Sequence, residues 1–211
     1  MKKISIFLFC FVSVLLIQAP AGAVPVDLND FWSAGNISIA PDGSSATLTE
    51  DPNFGSAYLS NDPFFEDPGI YIPLDSTSLT FDYNFDEPDG NFDEFYAFLF
   101  DPFLFDPFGN HIPLLDENGN ALEFFTDKPG SGTVTWDLLG ADFLGDIVGM
   151  EFQLNYDPFN DPLPSANLAL NSSVTISNVN INPVPEPATS LLVLSGLAGL
   201  FAARRTKQKR I

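Results

Sequence analysis

Carboxylates are the residues with most chemistry to offer in this sequence, and they cluster. Asp86-Glu87-Pro88-Asp89-Gly90-Asn91-Phe92-Asp93-Glu94 concentrates acids around one glycine. Calcium takes about six to eight hard oxygens, and a glycine lets a short loop fold around the ion. On that reading Asp86, Asp89, Asn91 and Asp93 are the candidate metal ligands. The spacing departs from the D-x-D-x-D-G pattern of an EF-hand loop, and no Glu stands at the closing position. Asp116-Glu117-Asn118-Gly119-Asn120 is a second, smaller cluster. A competing reading stands beside calcium: Asp, Asn and Gly are also the residues tight turns require, which makes both segments solvated hairpin turns. Glycoside hydrolysis needs two carboxyl groups across one cleft, one of them with a raised pKa, and a sequence pairs none of them. His111 is the only histidine and lies in a Gly-Asn-His-Ile-Pro loop, where the expectation is a surface residue. No Gly-rich phosphate loop joins a strand to a helix, so the chain is expected not to be an enzyme.

Aromatic residues are the second resource: with 22 Phe, 5 Tyr and 2 Trp, some rings could be left over once the core is filled. Exposed rings flanked by polar groups could stack on sugars, a role for which Trp and Tyr also bring a polar handle. Trp32, Trp136, Tyr71 and Tyr156 are the candidates, although Trp136 and Tyr156 fall in core-facing phase. A packed-core role therefore competes with a binding role. Asp-Pro at Asp62, Asp101, Asp106 and Asp157 continues into Phe64, Phe103, Phe108 and Phe159. Proline holds such a loop in turn geometry, and the Phe is expected to pin it to the domain.

Strands must position all of these. Period-two alternation recurs along residues 24–183, punctuated by Gly, Pro, Asn and Asp. Residues 36–40 and 46–50 flank Pro41-Asp42-Gly43 as a hairpin. Leu79, Phe81, Tyr83 and Phe85 share one face opposite Thr80, Asp82 and Asn84, the pattern of a half-buried strand. Residues 92–100 are apolar on both faces, which predicts a central strand covered by a second layer or loop. Further strands are expected at 58–59, 70–74, 121–125, 133–136 and 148–156. Val174 and Ile176 switch phase to Val179 and Ile181, which predicts a bulge near Ser177-Asn178. Residues 138–144 could form one short helical turn. Many short strands without helical crossovers predict an all-β, antiparallel two-sheet sandwich of the jelly-roll kind.

The charges say where that domain works. All 28 acids lie between Asp27 and Glu186 with Lys128 as the only base among them, a net charge of −27 in that stretch. Such a field repels phosphate backbones, so nucleic acid is excluded as a partner. Cys10 is the only cysteine, which leaves the domain without a disulfide or a Cys/His zinc site. Lys2 and Lys3 followed by an apolar run and Ala21-Gly22-Ala23 read as a secretory signal, residues 1–23, cut by signal peptidase after Ala23.

At the other end, residues 188–203 carry no charge and precede Arg204-Arg205-Thr206-Lys207-Gln208-Lys209-Arg210. Sixteen residues rise about 24 Å as a helix, short of a hydrocarbon core of about 30 Å. Snorkelling arginines and a thinned bilayer make up the difference, giving one transmembrane helix. Basic residues after a span hold its end in the cytoplasm, so the acidic domain is expected beyond the inner membrane.

Pro185-Glu186-Pro187, the short apolar helix and the basic end together resemble a PEP-CTERM sorting signal, over residues 184–211. The resemblance implies recognition of Pro185, Glu186 and Pro187 by an exosortase, with Arg204 and Arg205 as the cytoplasmic stop. It also implies a membrane-anchored precursor and a final place at the cell surface or in the extracellular matrix. More loosely, the sheet-rich part is similar to the β-sandwich ectodomains common on such proteins, with 79–99 as their central hairpin. The function expected is non-catalytic: binding or structural, in exopolysaccharide or matrix, with calcium as a possible bridge. A carbohydrate-binding module with a defined sugar groove is the first alternative, and a glycan-processing enzyme the second.

Overall fold

Alternation along the sequence becomes strand after strand in the computed structural model, which describes residues 22–50, 56–87, 93–155 and 172–184. In chain order the strands are β1 (Val24–Pro25), β2 (Trp32–Ala34), β3 (Asn36–Ile39), β4 (Ser45–Thr49), β5 (Ser56–Asn61), β6 (Ile70–Tyr71) and β7 (Ser76–Asp86). They continue as β8 (Glu94–Phe105), β9 (His111–Pro113), β10 (Glu123–Thr126), β11 (Gly130–Asp137), β12 (Ile147–Asn155) and β13 (Ser173–Pro183). Residues Ala23–Pro183 form one compact unit.

The strands make two antiparallel sheets packed as a sandwich. The first has the order β11-β7-β13-β4-β3, with β1 added beside β13. The second has the order β10-β8-β12-β5-β2, with β6 beside β12 and β9 beside β8. Helix is limited, among the described residues, to two 3-10 turns at Leu28–Asp30 and Pro63–Phe65.

Phe81 joins the two layers. Its ring, on β7 of the first sheet, lies 5.3 Å from Phe152 on β12 and 6.3 Å from Phe124 on β10, both in the second sheet. Trp136 of β11 completes the cluster at 5.3 Å. Fully burying a ring of this size contributes about 1.5–3 kcal/mol, and no disulfide adds to that in this domain.

Several expectations hold and two need correction. The 41–43 turn joins β3 to β4, and β13 pairs with β7 through a register shift between Ser177 and Asn180, with Asn178 in the left-handed region. The strand at 79–85 does not form a hairpin with the one at 94–99. β7 and β8 lie in different sheets, and residues 88–92 of the acidic segment between them lie outside the described residues. Phe81 and Phe95 both face the core, one from each layer. Residues 138–144 form two successive turns, closed by Ala141 N–H to Leu138 and Leu144 N–H to Ala141, and no helix.

No helix among the described residues is long and apolar enough to cross a membrane. The expected span at 188–203, the sorting residues Pro185, Glu186 and Pro187, the stop Arg204 and Arg205, and Ala21 of the signal lie outside the described residues. Ala23 stands exposed just before β1.

Candidate functional site

Side chains alternate across a strand, so register decides which residues share the outer face of the second sheet. Trp32 of β2 pairs with Ser60 of β5, Ser60 with Glu151 of β12, Glu151 with Phe98 of β8, and Phe98 with Glu123 of β10. Two residues along, Ala34, Tyr58, Gln153, Tyr96 and Phe125 form a second row. The row between them contains Leu59, Phe152 and Ala97, all buried in the core. Rings therefore alternate with hydroxyl, amide and carboxyl groups across one face.

Two loops raise walls on this face. β8 runs on to Phe105, turns, and returns as β9, placing His111 opposite Phe105. Asp106 builds the turn: its Oδ1 accepts from the N–H groups of Phe108 and Asn110, each at 2.8 Å, and its Oδ2 accepts from Asn110 Nδ2 at 3.0 Å. Gly109 supplies the positive φ of 89° that closes it. The other loop follows β5. Asp62 Oδ1 accepts from Phe64 N–H at 2.8 Å, which starts the 3-10 turn, and Asn61 Oδ1 accepts from Gly69 N–H at 2.6 Å.

His111 ties the loops together. Its Nε2 lies 2.7 Å from Asp62 Oδ2, and the imidazole stacks on Phe100 at 4.0 Å and against Phe105 at 4.5 Å. The Nδ1 atom is buried without a hydrogen-bond partner among the described residues. Phe100 in turn lies over Gly149, where any Cβ would come within 2.2 Å of the ring. Gly149 thus lets Phe100 support the histidine from below.

Between the walls lies a groove of about 580 Å³. Trp32, Tyr58, Phe65, Phe98 and Phe105 supply rings to it, and Asp62, His111, Glu151 and Gln153 supply polar atoms. Trp32 is 59% exposed, a ring face open to solvent at the edge of the cleft.

Glu151 is the group most altered by this setting. Burial pushes its carboxyl above the usual range; hydrogen bonds from Gln153 and Ser60 and the nearby His111 pull the other way, and Asp62 adds to the rise. An acid whose pKa is raised on folding favours the folded state at low pH, and that advantage is lost as pH rises through the folded pKa. Glu151→Gln is therefore expected to melt close to wild type near pH 4 and above it at pH 8. Thermal melts of both proteins across that range check this, and a gap that does not widen with pH contradicts it. On the same face, burial and the hydrogen bond to Glu123 push the Tyr96 phenol up to about 12, so it stays protonated.

The structure sorts the residues singled out from the sequence. Trp32 lines the groove, Trp136 is buried, and Tyr156 lies outside the described residues. Tyr71 borders a second depression, of about 550 Å³, with Phe103 and Ile147. Asp86 ends β7 and is exposed, whereas Asp93 is fully buried just before β8. Asp89 and Asn91 lie outside the described residues. Among the described residues no group of three or more His, Cys, Asp or Glu is arranged to hold a metal ion.

The second acidic cluster is a turn and a twin of the 106–110 loop. Asp116 Oδ1 accepts from the N–H groups of Asn118 and Asn120, its Oδ2 accepts from Asn120 Nδ2, each at 2.8 Å, and Gly119 has φ 82°. The loops' own donors, led by the Asn110 and Asn120 amides, hold both carboxyls below the usual range.

Two expectations are overturned here. His111 is not a surface residue, since its side chain is 11% exposed. Nor does Phe pin two of the three described Asp-Pro-Phe segments, although Phe64 does pack edge-on against Phe65 and Phe105. In all three that are described, Asp Oδ1 accepts from the Phe N–H at 2.8 Å, and at Phe103 and Phe108 the ring is left pointing outward. Phe103 and Phe108 are 75% and 89% exposed, and Phe64 turns only one side to Phe105. The Asp carboxylate does the holding that was expected of Phe. Phe159 lies outside the described residues.

Residues 183–208 match the PEP-CTERM protein-sorting motif, so the chain carries the C-terminal signal of exported proteins. No curated protein matches the chain. Among solved structures it resembles the carbohydrate-binding module TmCBM27, described for specific mannan recognition, at 10% identity and a TM-score of 0.35, over 77% of this chain and 96% of that one. It also resembles the K3 cleaved adhesin domain of Lys-gingipain from Porphyromonas gingivalis W83, at 12% identity and a TM-score of 0.36, over 78% and 99%. A third is the family 30 carbohydrate-binding module of cellulosomal cellulase Cel9D-Cel44B of Clostridium thermocellum, at 15% identity and a TM-score of 0.32, over 78% and 94%. At scores this low the similarity stops at resemblance.

Proposed function

We propose that this is an exported, exosortase-processed envelope protein whose sandwich binds a glycan, without catalysis, in the groove on the outer face of its second sheet. One observation carries the proposal: the register that brings Trp32, Tyr58, Phe98, Glu151 and Gln153 onto one walled face. Sugar rings present flat C–H faces and a rim of hydroxyls, and a cleft of open rings beside amide and carboxyl groups complements both. A volume of about 580 Å³ suits a short run of sugar units.

Binding fits the groove better than hydrolysis does. A glycosidase needs one carboxyl free to protonate and a second free to attack or to activate water. Here both oxygens of Asp62 are engaged, by Phe64 N–H and by His111, while Gln153 and Ser60 hold Glu151. The jelly-roll form belongs to the same proposal, supported by the order β4-β13-β7-β11 opposite β5-β12-β8-β10, in which the chain crosses between layers at every step except β8 to β10, which pair within one sheet. The anchored precursor and the surface or matrix destination follow from the sorting motif on this reading.

Titration calorimetry of the full chain in detergent micelles, against soluble neutral and amino-sugar oligosaccharides, tests the function. Saturable one-site binding to at least one of them is expected, and silence across the panel rejects the groove reading. For the address, replacing Pro185, Glu186 and Pro187 with alanine is expected to leave a larger, membrane-bound form in fractionated cells. Unchanged mature size and location would overturn that part.

A further inference from the structure

Within the groove, the balance of charge narrows the class of glycan, a step that rests on the glycan reading above. Three carboxylates line the cleft, Glu151, Asp62 and Asp67, and no Lys or Arg does. Lys128, the only Lys or Arg among the described residues, sits in the turn between β10 and β11. A uronate or a sulfated sugar would meet these three carboxylates with no Lys or Arg to receive it, and the histidine of the lining, His111, is already engaged by Asp62. A neutral sugar would cover Glu151 more deeply in apolar contact without neutralising it, and removing a charge from water is costly unless it is paired.

A ligand with its own positive charge meets neither obstacle. The path from Trp32 to Glu151 crosses two strand spacings, about 10 Å along the row. Tyr58 stands diagonal to Glu151 on the neighbouring strand, a separation of about 7–8 Å that long side chains close. An ammonium over Glu151 would therefore lie beside ring faces, where the negative face of the ring adds to the attraction of the carboxylate. The −27 stretch of the chain draws cationic ligands toward the domain from a distance.

We infer that the groove selects glycans bearing free amino groups, with an ammonium seated at Glu151 and the sugar ring next to it stacked on Trp32 or Tyr58. The selection is local to the cleft. It is distinct from the general pull of an acidic surface, which salt screens over about 8 Å.

The test is calorimetry on the full chain at 150 mM salt, roughly physiological ionic strength, with three tetrasaccharide probes: fully deacetylated glucosamine, its N-acetylated counterpart, and galacturonate. The deacetylated tetramer is expected to bind at least about tenfold tighter than the acetylated one, the size of one hydrogen bond between charged groups, and the galacturonate not at all. Glu151→Gln, which keeps shape and removes charge, is expected to bring the ratio of the two glucosamine probes below about threefold. Asp137→Asn, an exposed acid on β11 of the other sheet, removes the same charge from elsewhere and is expected to leave the ratio unchanged. Equal binding of the acetylated and deacetylated tetramers overturns the selection and leaves the glycan reading standing. So does a preference that survives Glu151→Gln, which would assign it to the overall field. Silence from all three, together with silence across the neutral panel, removes both.

Discussion

Trp32→Ala is expected to weaken glycan binding by at least about 30-fold while the melting temperature stays within about 2 °C of wild type. The two halves of that result have one cause. Trp32 is 59% exposed on β2, an edge strand of the second sheet, so the core loses little when the indole goes. Its face is the largest open ring on the groove, and truncating an aromatic hot spot costs a binding site about 2 kcal/mol or more. Each 1.4 kcal/mol is tenfold in affinity, which gives the factor stated. Calorimetry beside thermal melts separates the two effects. A variant that binds normally places the ligand elsewhere, and one that melts far lower makes Trp32 a structural residue.

Phe81→Ala is expected to do the reverse and to have the largest effect on stability of any single change. Phe81 is fully buried, and its ring touches Trp136 on its own sheet and Phe124 and Phe152 on the other. Truncating a buried Phe costs about 3–5 kcal/mol, because the cavity it leaves closes only in part. A domain of this size holds about 5–15 kcal/mol in total. The melting temperature should fall by about 10 °C or more, read by circular dichroism. A loss under about 3 °C would mean that the two sheets are not joined through this ring.

Much of the architecture could be read from periodicity, because a strand's face pattern is local. Leu79, Phe81, Tyr83 and Phe85 alternate visibly, and the double-faced run before Phe100 announced a covered central strand that the 101–113 segment indeed covers. What the pattern does not contain is partnership. Nothing local says that β7 pairs with β13 and β11 and leaves β8 to the opposite layer. The groove escapes for the same reason. Ser60, Glu151 and Gln153 occupy the polar phase of their strands, and polar phase alone reads as solvent. Only register across four strands reveals that those positions adjoin Trp32 and Phe98.

Side-chain roles were harder still. His111 in a Gly-Asn-His-Ile-Pro loop gives no local hint that Asp62, 49 residues away, receives its Nε2. In the Asp-Pro-Phe segments the deciding residue is neither Pro nor Phe but Asp, whose carboxylate accepts the N–H two residues on and, at Phe103 and Phe108, leaves the ring outward. That Asx geometry is legible in principle, since Asp before a turn is its usual signature. The sorting signal stood apart from all this: its meaning lies in residue types in order along the chain, and the match over 183–208 needs no fold.

The chain has two tryptophans, Trp32 in the groove and Trp136 buried in the core, and this pair offers the sharpest test of where a glycan sits. In a Trp136→Phe background all tryptophan emission comes from Trp32, which acrylamide should quench readily in the free protein. Adding an oligosaccharide that binds by calorimetry should shield that emission, with half-protection at the calorimetric dissociation constant. Quenching unchanged at saturating sugar would place the ligand off this face and end the groove assignment.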